Sequence, residues 1–349
     1  MAKDFNIDTL VRESVKKLKP YSSARDEYVS DGSKMIFLDA NENPFENGLN
    51  RYPDPQQRDL KSELAYQKGI KNDQILIGNG SDEVLDLLFR AFCEPGVDNI
   101  ITLPPTYGMY KVLSGINAVQ NNEVLLTKDF EPNVAEILDT VNEKTKMVFL
   151  CSPNNPTGNS FSVLSIETIL NNFNGLVIID EAYIDFSEQQ SWLLRLETFP
   201  NLVVTQTLSK AYGMAGIRLG ICYASPIIIQ MLNKIKPPYN VNELTQQKAL
   251  SRILDKESVA EEVESILKER NLLIGTLNKV GFVHEIYPSD ANFVLAKVDN
   301  ADLRYTQLLE LNVVVRNRST QPLCENTLRF TVGTPEENRK LVQILNQIG

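Results

Sequence analysis

The sequence predicts an α/β fold: a mostly parallel central sheet covered by helices, a smaller C-terminal α+β domain, and an N-terminal arm. Three observations predict it. Short β-rich apolar runs recur between about residue 70 and residue 240, each followed by a polar or Gly/Pro-containing turn and mostly by helix-like sequence. That alternation is how parallel strands joined by helical crossovers read. The runs are nearly continuous in apolar residues, as Leu176-Val177-Ile178-Ile179 shows, and strands covered on both faces have this character. Beyond Lys236-Pro237-Pro238 the pattern changes to long charged helix and then to further β–α alternation. The expected division is an arm over 1–45, a large domain over 46–240 and a small domain over 241–349, in keeping with a 349-residue chain.

The elements follow in order. The arm is polar, with a helix-like start at Thr9-Leu10-Val11-Arg12 and then Lys19-Pro20-Tyr21 and Asn41-Glu42-Asn43-Pro44. Gln74-Ile75-Leu76-Ile77 reads as a first strand. It passes through Gly78-Asn79-Gly80-Ser81 into Asp82–Phe92, whose apolar residues at 84, 85, 87, 88, 91 and 92 have the spacing of an amphipathic helix. Further strands are expected at Asn99–Leu103, Lys146–Cys151, Leu176–Ile179 and Leu202–Thr205. Asn242 to about Asn278 reads as one long helix with a solvated face of Glu261, Glu262, Glu264, Lys268, Glu269 and Arg270. After it, strands at Ala291–Val298, Val313–Val315 and Thr327–Val332 alternate with helices at Leu303–Leu311 and Pro335–Ile348.

Composition narrows the function. The chain is 42% hydrophobic and 23% charged, an ordinary globular balance. A net charge of −10 repels nucleic acid and anionic lipid. It leaves room for small anionic substrates, because a few buried arginines set the local potential. Cys93, Cys151, Cys222 and Cys324 are widely spaced and mostly in or beside apolar runs, which suits reduced core thiols rather than disulfides or a metal site. The single histidine, His284, lies in a strand-like run and reads as structural; no metal is expected. Met1 to Leu10 is charged and has no apolar core, unlike a signal peptide. No run approaches the roughly 18 apolar residues of a membrane helix. The expectation is a soluble cytoplasmic protein with no nucleic-acid or membrane partner.

The motifs cluster at strand ends, where ligands of parallel sheets bind. Gly78-Asn79-Gly80-Ser81-Asp82 joins a strand to a helix whose free N–H groups suit an anion, although any βα turn with an N-cap serine looks similar. Pro105-Thr106-Tyr107 places an aromatic at the next strand end, able to stack on a flat ring or simply to fill the core. Cys151-Ser152-Pro153-Asn154-Asn155-Pro156-Thr157-Gly158 makes a rigid turn holding an amide that can bond a pyridine 3-oxygen. Asp180 closes a buried strand, where a carboxylate is costly without a cationic partner such as a protonated ring nitrogen; an N-cap role is the ordinary alternative. Tyr183, three residues on, can donate to the same 3-oxygen. In the segment Thr207 to Gly220, Lys210 lies between hydroxyl residues and a glycine-flanked Arg218. A lysine condenses with an aldehyde, and hydroxyls with an arginine hold a phosphate. Together they can anchor both ends of pyridoxal 5'-phosphate (PLP). A single such turn has an ordinary explanation; five in chain order, each at a strand end, do not.

The pattern Ser-Lys-x5-Gly-x-Arg-x-Gly at 209–220 resembles the cofactor-lysine signature of the fold-type I PLP-dependent aminotransferases. The resemblance implies Lys210 as the Schiff-base lysine and general acid/base, Asp180 as partner of the pyridine nitrogen, and Tyr107 as the stacking aromatic, these three forming the catalytic set. It implies Asn155 and Tyr183 as ligands of the 3-oxygen, and Ser81, Asp82, Thr207, Ser209 and Arg218 as a phosphate cup. Tyr52, in Asn50-Arg51-Tyr52-Pro53-Asp54-Pro55, matches a tyrosine that reaches the PLP phosphate of the neighbouring subunit. That implies a homodimer with shared active sites, the arm packing with the small domain and the partner.

Two arginines bear on the substrate. Leu328-Arg329-Phe330-Thr331-Val332-Gly333-Thr334 resembles the family strand whose arginine grips the α-carboxylate, and thirteen residues earlier Val313-Val314-Val315-Arg316 ends in another. Two such cations suggest a substrate with two anionic groups or one dianionic group. Lys19-Pro20-Tyr21, Asn41–Pro44, Arg51–Asp54, Gly78–Glu83, Thr106-Tyr107-x-Met109-Tyr110 and the arginine pair with Gln321-Pro322 between them most closely resemble the histidinol-phosphate aminotransferase branch. That branch implies transfer of the amino group of L-histidinol phosphate to 2-oxoglutarate in histidine biosynthesis, with Tyr21, Asn155, Arg316 and Arg329 at the substrate. The alternatives are an aromatic amino acid aminotransferase or a threonine-phosphate decarboxylase of the same fold. A PLP-fold regulator that binds DNA is disfavoured by the short arm and the acidic pI of about 4.9.

Overall fold

The structure is a computed structural model, and it describes residues 5–20 and 35–348. Its main sheet has seven strands: β1 (Ile75–Asn79), β2 (Asn99–Thr102), β3 (Gln120–Glu123), β4 (Thr145–Cys151), β5 (Leu176–Asp180), β6 (Leu202–Thr207) and β7 (Leu219–Ala224). They lie in the order β1-β7-β6-β5-β4-β2-β3. The run β6-β5-β4-β2-β3 is parallel. β7 runs antiparallel to both β1 and β6, so six strands point one way and β7 alone points back.

Successive side chains of each central strand enter opposite cores. Ile75, Ile77, Val148, Val177 and Ile179 pack with Phe161, Ile166 and Leu208 on one face. Leu76, Met147, Phe149, Leu176 and Ile178 pack with Val84, Leu88, Phe89 and Phe92 on the other. This is why the strands read as continuous apolar runs; each fully buried Val, Leu or Ile contributes about 1.5–3 kcal/mol. The helix Gly80–Phe92 buries Val84, Leu85, Leu87, Leu88, Phe89, Ala91 and Phe92 on that second face. Two short helices, Ile7–Leu10 and Glu13–Lys17, add Ile7, Leu10, Val11 and Val15 to the same core. The described first part of the arm therefore packs on the main sheet, not on the C-terminal part as expected, because its apolar residues complete the cover over the helix Gly80–Phe92.

A second, antiparallel sheet has the order β10-β11-β9-β8, formed by β8 (Val283–Ile286), β9 (Phe293–Val298), β10 (Arg316–Asn317) and β11 (Thr327–Thr331). Leu273 and Leu277 from the helix Lys256–Leu277, and Leu341 and Leu345 from Pro335–Ile348, cover it with Val294, Ala296, Leu328 and Phe330.

Four features differ from the sequence reading. β3 is a wholly polar edge strand, and its lack of buried apolar residues hid it. β7 begins in the last two residues of what reads as a single cofactor motif and runs on to Ala224. The long charged helix breaks at Asp255, whose φ of −86° and ψ of 62° interrupt it between Glu243–Leu254 and Lys256–Leu277. Val313–Val315 is not a strand: after the helix Ala301–Glu310 the chain turns at Asn312, with φ 61°, and meets β11 only at Arg316.

Gly220 fixes how β7 meets the helix Gly80–Phe92. A Cβ there would lie 2.2 Å from both the Gly80 carbonyl carbon and the Ser81 nitrogen. Backbone cannot yield as a flexible side chain can, so Gly220→Ala is expected to destabilise the fold by about 1–3 kcal/mol, the usual cost of overpacking. Thermal unfolding beside the wild type checks this; an unchanged Tm would mean that the β7–helix contact relaxes freely.

Candidate active site

The carboxyl ends of β1, β4, β5 and β6 converge on one cleft, of about 90 Å³. Because β7 is reversed, its leading end opens on the same edge and brings Arg218 to it. Ser81, Asp82, Tyr107, Asn155, Asp180, Tyr183, Thr207, Ser209, Lys210 and Arg218 all line this cleft.

Asp180 is 3% exposed. Its carboxylate accepts a hydrogen bond from the Tyr110 hydroxyl at 2.8 Å and from the Ala182 N–H at 3.2 Å. Burial pushes its pKa up, and these two donors pull it back. Among the described residues no cation lies within salt-bridge distance of it. Tyr107 flanks the site: its hydroxyl donates to Asp82 at 3.1 Å, and its ring meets Tyr110 edge-on at 5.6 Å.

The Lys210 amine stands 5.5 Å from the centroid of the Tyr183 ring. Burial lowers its pKa, the Arg329 charge lowers it further, and Asp180 opposes both. The amine is thus more often neutral, and more nucleophilic, than a solvated lysine.

One end of the cleft is built from a helix start, two hydroxyls and a guanidinium. Ser81 and Asp82 lie in the first turn of Gly80–Phe92, where N–H groups lack helical partners. Thr207 donates to Ser209 at 3.0 Å across the turn after β6. Arg218 holds a left-handed conformation, φ 55° and ψ 68°, and lies over Gly80; a Cβ on Gly80 would be 2.6 Å from Arg218 Nη2. The Asp82 carboxylate takes Arg218 at 3.4 Å and Tyr107 at 3.1 Å. Its side chain thus orients two neighbours, leaving its N–H for an anion.

Over the cleft hangs the second sheet. Arg329 of β11 donates through Nη1 to Asn155 Oδ1 and lies over the Phe293 ring at 5.0 Å; burial lowers its pKa. Asn155 is 8% exposed. Arg316 is directly opposite Arg329 in the β10–β11 register and is exposed. Tyr52 does not line the cleft: it is 51% exposed and stacks on Tyr239 at 4.6 Å. Tyr21 lies outside the described residues.

Sequence reasoning missed Tyr110 as the partner of Asp180, although it follows Tyr107 by three residues at the start of the helix Met109–Ile116. It also missed Glu181, 1% exposed, which accepts from Ser191 Oγ, Trp192 N and Gln206 Nε2 at 2.5, 2.7 and 2.8 Å. Burial pushes its pKa up to about 7. It pins the loop that follows Asp180 and has no place in the cleft. Cys151 lines the cleft as a buried thiol.

The lining fits PLP on three observations. Asp180 is a buried carboxylate that lacks a cation, which a protonated ring nitrogen supplies. Gly80 leaves space that lets Arg218 reach across a helix N-terminus. Lys210 presents a half-buried amine with its basicity lowered, in the same cleft.

Comparison with known proteins agrees. The family described as aminotransferase class I and II matches residues 35–345. A protein of Flavobacterium johnsoniae named histidinol-phosphate aminotransferase is 65% identical over 342 residues, covering 98% of each chain. The crystal structure of the histidinol-phosphate aminotransferase from Clostridium acetobutylicum superposes with a TM-score of 0.80 at 25% identity, over 86% of this chain and 91% of that one. The Sinorhizobium meliloti histidinol-phosphate aminotransferase, solved in complex with pyridoxal-5'-phosphate, has the same fold, with a TM-score of 0.79 at 22% identity over 86% of this chain and 84% of that one.

The charge of Arg329 on Lys210 can be read directly. Arg329→Gln removes a cause that lowers the Lys210 pKa. The rate at which apo-protein takes up PLP, followed by absorbance, rises with pH as the amine deprotonates, and in the variant this rise should shift to higher pH. An unshifted profile would leave burial alone setting the amine.

Proposed function

The chain belongs to the class I and II aminotransferases, and on that premise we propose that it transfers the amino group of L-histidinol phosphate to 2-oxoglutarate, giving imidazole-acetol phosphate and L-glutamate in histidine biosynthesis. The observation that carries the chemistry is the pairing, in one cleft, of an amine of lowered basicity, Lys210, with a buried carboxylate lacking a cation, Asp180. The observation that carries the substrate is the Arg316–Arg329 pair. Like charges directly opposite on neighbouring strands destabilise a sheet, and an oxyanion from the substrate relieves that repulsion. The similarity to histidinol-phosphate aminotransferases over almost the whole chain supports the same reading.

PLP, when bound, supplies a ring that accepts the electron pair left on a substrate carbon after its proton is removed. The chain's own residues do the rest. Lys210 Nζ moves the proton at the α-carbon of the amino donor, and its lowered pKa favours the neutral amine that this step needs. Asp180 would keep the ring nitrogen protonated, with Tyr110 fixing the carboxylate. Tyr107 would cover the ring face, and Asn155 and Tyr183 would bond its 3-oxygen. The Ser81 and Asp82 N–H groups, Thr207, Ser209 and Arg218 would hold the phosphate. Arg329, with Arg316, would hold the donor's anion.

A homodimer completes the proposal. Tyr52 stands outside its own cleft, and the chain just before it exposes apolar residues: Ile36, Leu38, Phe45 and Leu49 are 83, 87, 80 and 55% exposed. Exposed apolar surface on this scale marks an interaction site. A second copy seated there would receive Tyr52 at its cofactor phosphate.

Three measurements test this reading. Enzyme carrying PLP, mixed separately with histidinol phosphate, phenylalanine, tyrosine and threonine phosphate, should lose its visible cofactor absorbance fastest with histidinol phosphate. A preference for phenylalanine would keep the aminotransferase and remove the histidine pathway. Asp180→Ala should lower kcat by roughly 10²–10³-fold, the usual cost of losing a preorganised electrostatic partner, and near-normal turnover would sink the role of Asp180. Mixing Lys210→Ala with Tyr52→Phe subunits should restore activity, since one site of each heterodimer then keeps both groups. Proven subunit exchange without recovery would place Tyr52 in its own chain's site.

A further inference from the structure

A third arginine stands with Arg316 and Arg329. The Arg318 N–H donates to the Thr327 carbonyl at 3.0 Å, so the β10–β11 pairing continues past Asn317 and Arg318 follows Arg316 by one strand period, on the same face. Arg329 is opposite Arg316 on that face. Among the described residues no carboxylate comes within salt-bridge distance of any of the three. Nε of Arg318 and Nε of Arg329 are both buried without a hydrogen-bond partner. Buried guanidinium donors left unpaired are costly, and three cations on one face repel one another.

Arg318 also belongs to the cleft electrostatically. Its charge, like that of Arg329, acts on Tyr183, which lines the cleft. Burial and the other two arginines lower the Arg318 pKa to about 10, while Tyr183 and Cys324 oppose them; these are the titratable groups that bear on it.

We propose that Arg318 is a specificity-determining residue for the amino donor: with Arg316 and Arg329 it forms a three-guanidinium seat that matches a phosphate monoester dianion rather than a carboxylate. The inference rests on the proposed histidinol-phosphate reaction and adds to it the residue that reads the second phosphate charge. A carboxylate has one negative charge and two oxygens, which a planar guanidinium fork can satisfy. A phosphate monoester has up to two charges and three free oxygens, and loses its second proton near pH 6. A single arginine cannot satisfy it.

The test compares wild type, Arg318→Gln and Arg318→Lys as PLP-loaded enzymes, with two donors and one non-reacting probe. For histidinol phosphate, Arg318→Gln should lower kcat/KM by about 10–100-fold, the loss expected of a hydrogen bond to a charged group, and mainly through KM. The loss for glutamate should be much smaller. Arg318→Lys should fall between, having the charge without the fork. In wild type the apparent affinity for histidinol phosphate should rise as the pH passes about 6, and in Arg318→Gln that rise should flatten. Inorganic phosphate, titrated calorimetrically, should bind the variant more weakly in the same proportion. Equal losses for both donors with a lowered Tm would make Arg318 merely structural, and unchanged KM and phosphate affinity would remove it from the seat. If wild type does not use histidinol phosphate at all, the proposed reaction falls separately. Arg318 is then judged by inorganic phosphate alone: weaker binding in Arg318→Gln upholds the seat, and equal binding overturns it.

Discussion

A carboxylate at the closed end of a central strand is the constraint around which the site is arranged. Asp180 ends β5, in the middle of the sheet and covered on both faces, where an ionised group is costly to desolvate. Tyr110 and the Ala182 N–H offset part of that cost. The remainder keeps the Asp180 pKa raised. The surrounding order follows from this: the strands place their carboxyl ends around Asp180, and the lysine opposite keeps its distance instead of closing a salt bridge with it.

The reversal of β7 is the second determinant. A strand running with its neighbours would bring its trailing end, Ala224, to the cleft edge. Running against them, it brings its leading end and therefore Arg218, in a left-handed conformation beside the helix start at Gly80. Gly80 and Gly220 make the approach possible, since a side chain on either would collide with Arg218 or with backbone. One topological choice thus brings a lysine and an arginine eight residues apart to the lining of a single cleft.

Much of this was legible in the chain because its parts are local. Strand ends, glycine turns and the lysine–arginine spacing are properties of short windows, and the residues they named do meet in one cleft. What escaped depends on neighbours in space. β3 carries no apolar signal, since an edge strand of polar residues is held only by its ladder. Val313–Val315 has strand composition but no partner within reach until Arg316. Tyr110 gives no sign in sequence that its hydroxyl ends on Asp180, seventy residues away. The Nε of Arg318 is buried without a partner, which no periodicity describes. Tyr52 stands apart from the cleft because a single chain cannot show what a second copy would place there.

The bond from Arg329 to Asn155 Oδ1 joins the two sheets at the cleft, and on the proposed role of Arg329 it would make substrate capture an exchange rather than an addition. An arriving oxyanion takes over a guanidinium already aimed by a neutral amide, and a neutral acceptor holds a cation less strongly than a charged one does. The protein therefore keeps its arginine positioned with the kind of partner an anion can displace. The Asn155 amide oxygen would then be left to the turn that follows β4, so filling the proposed seat would change the bonding of a turn that lines the cleft.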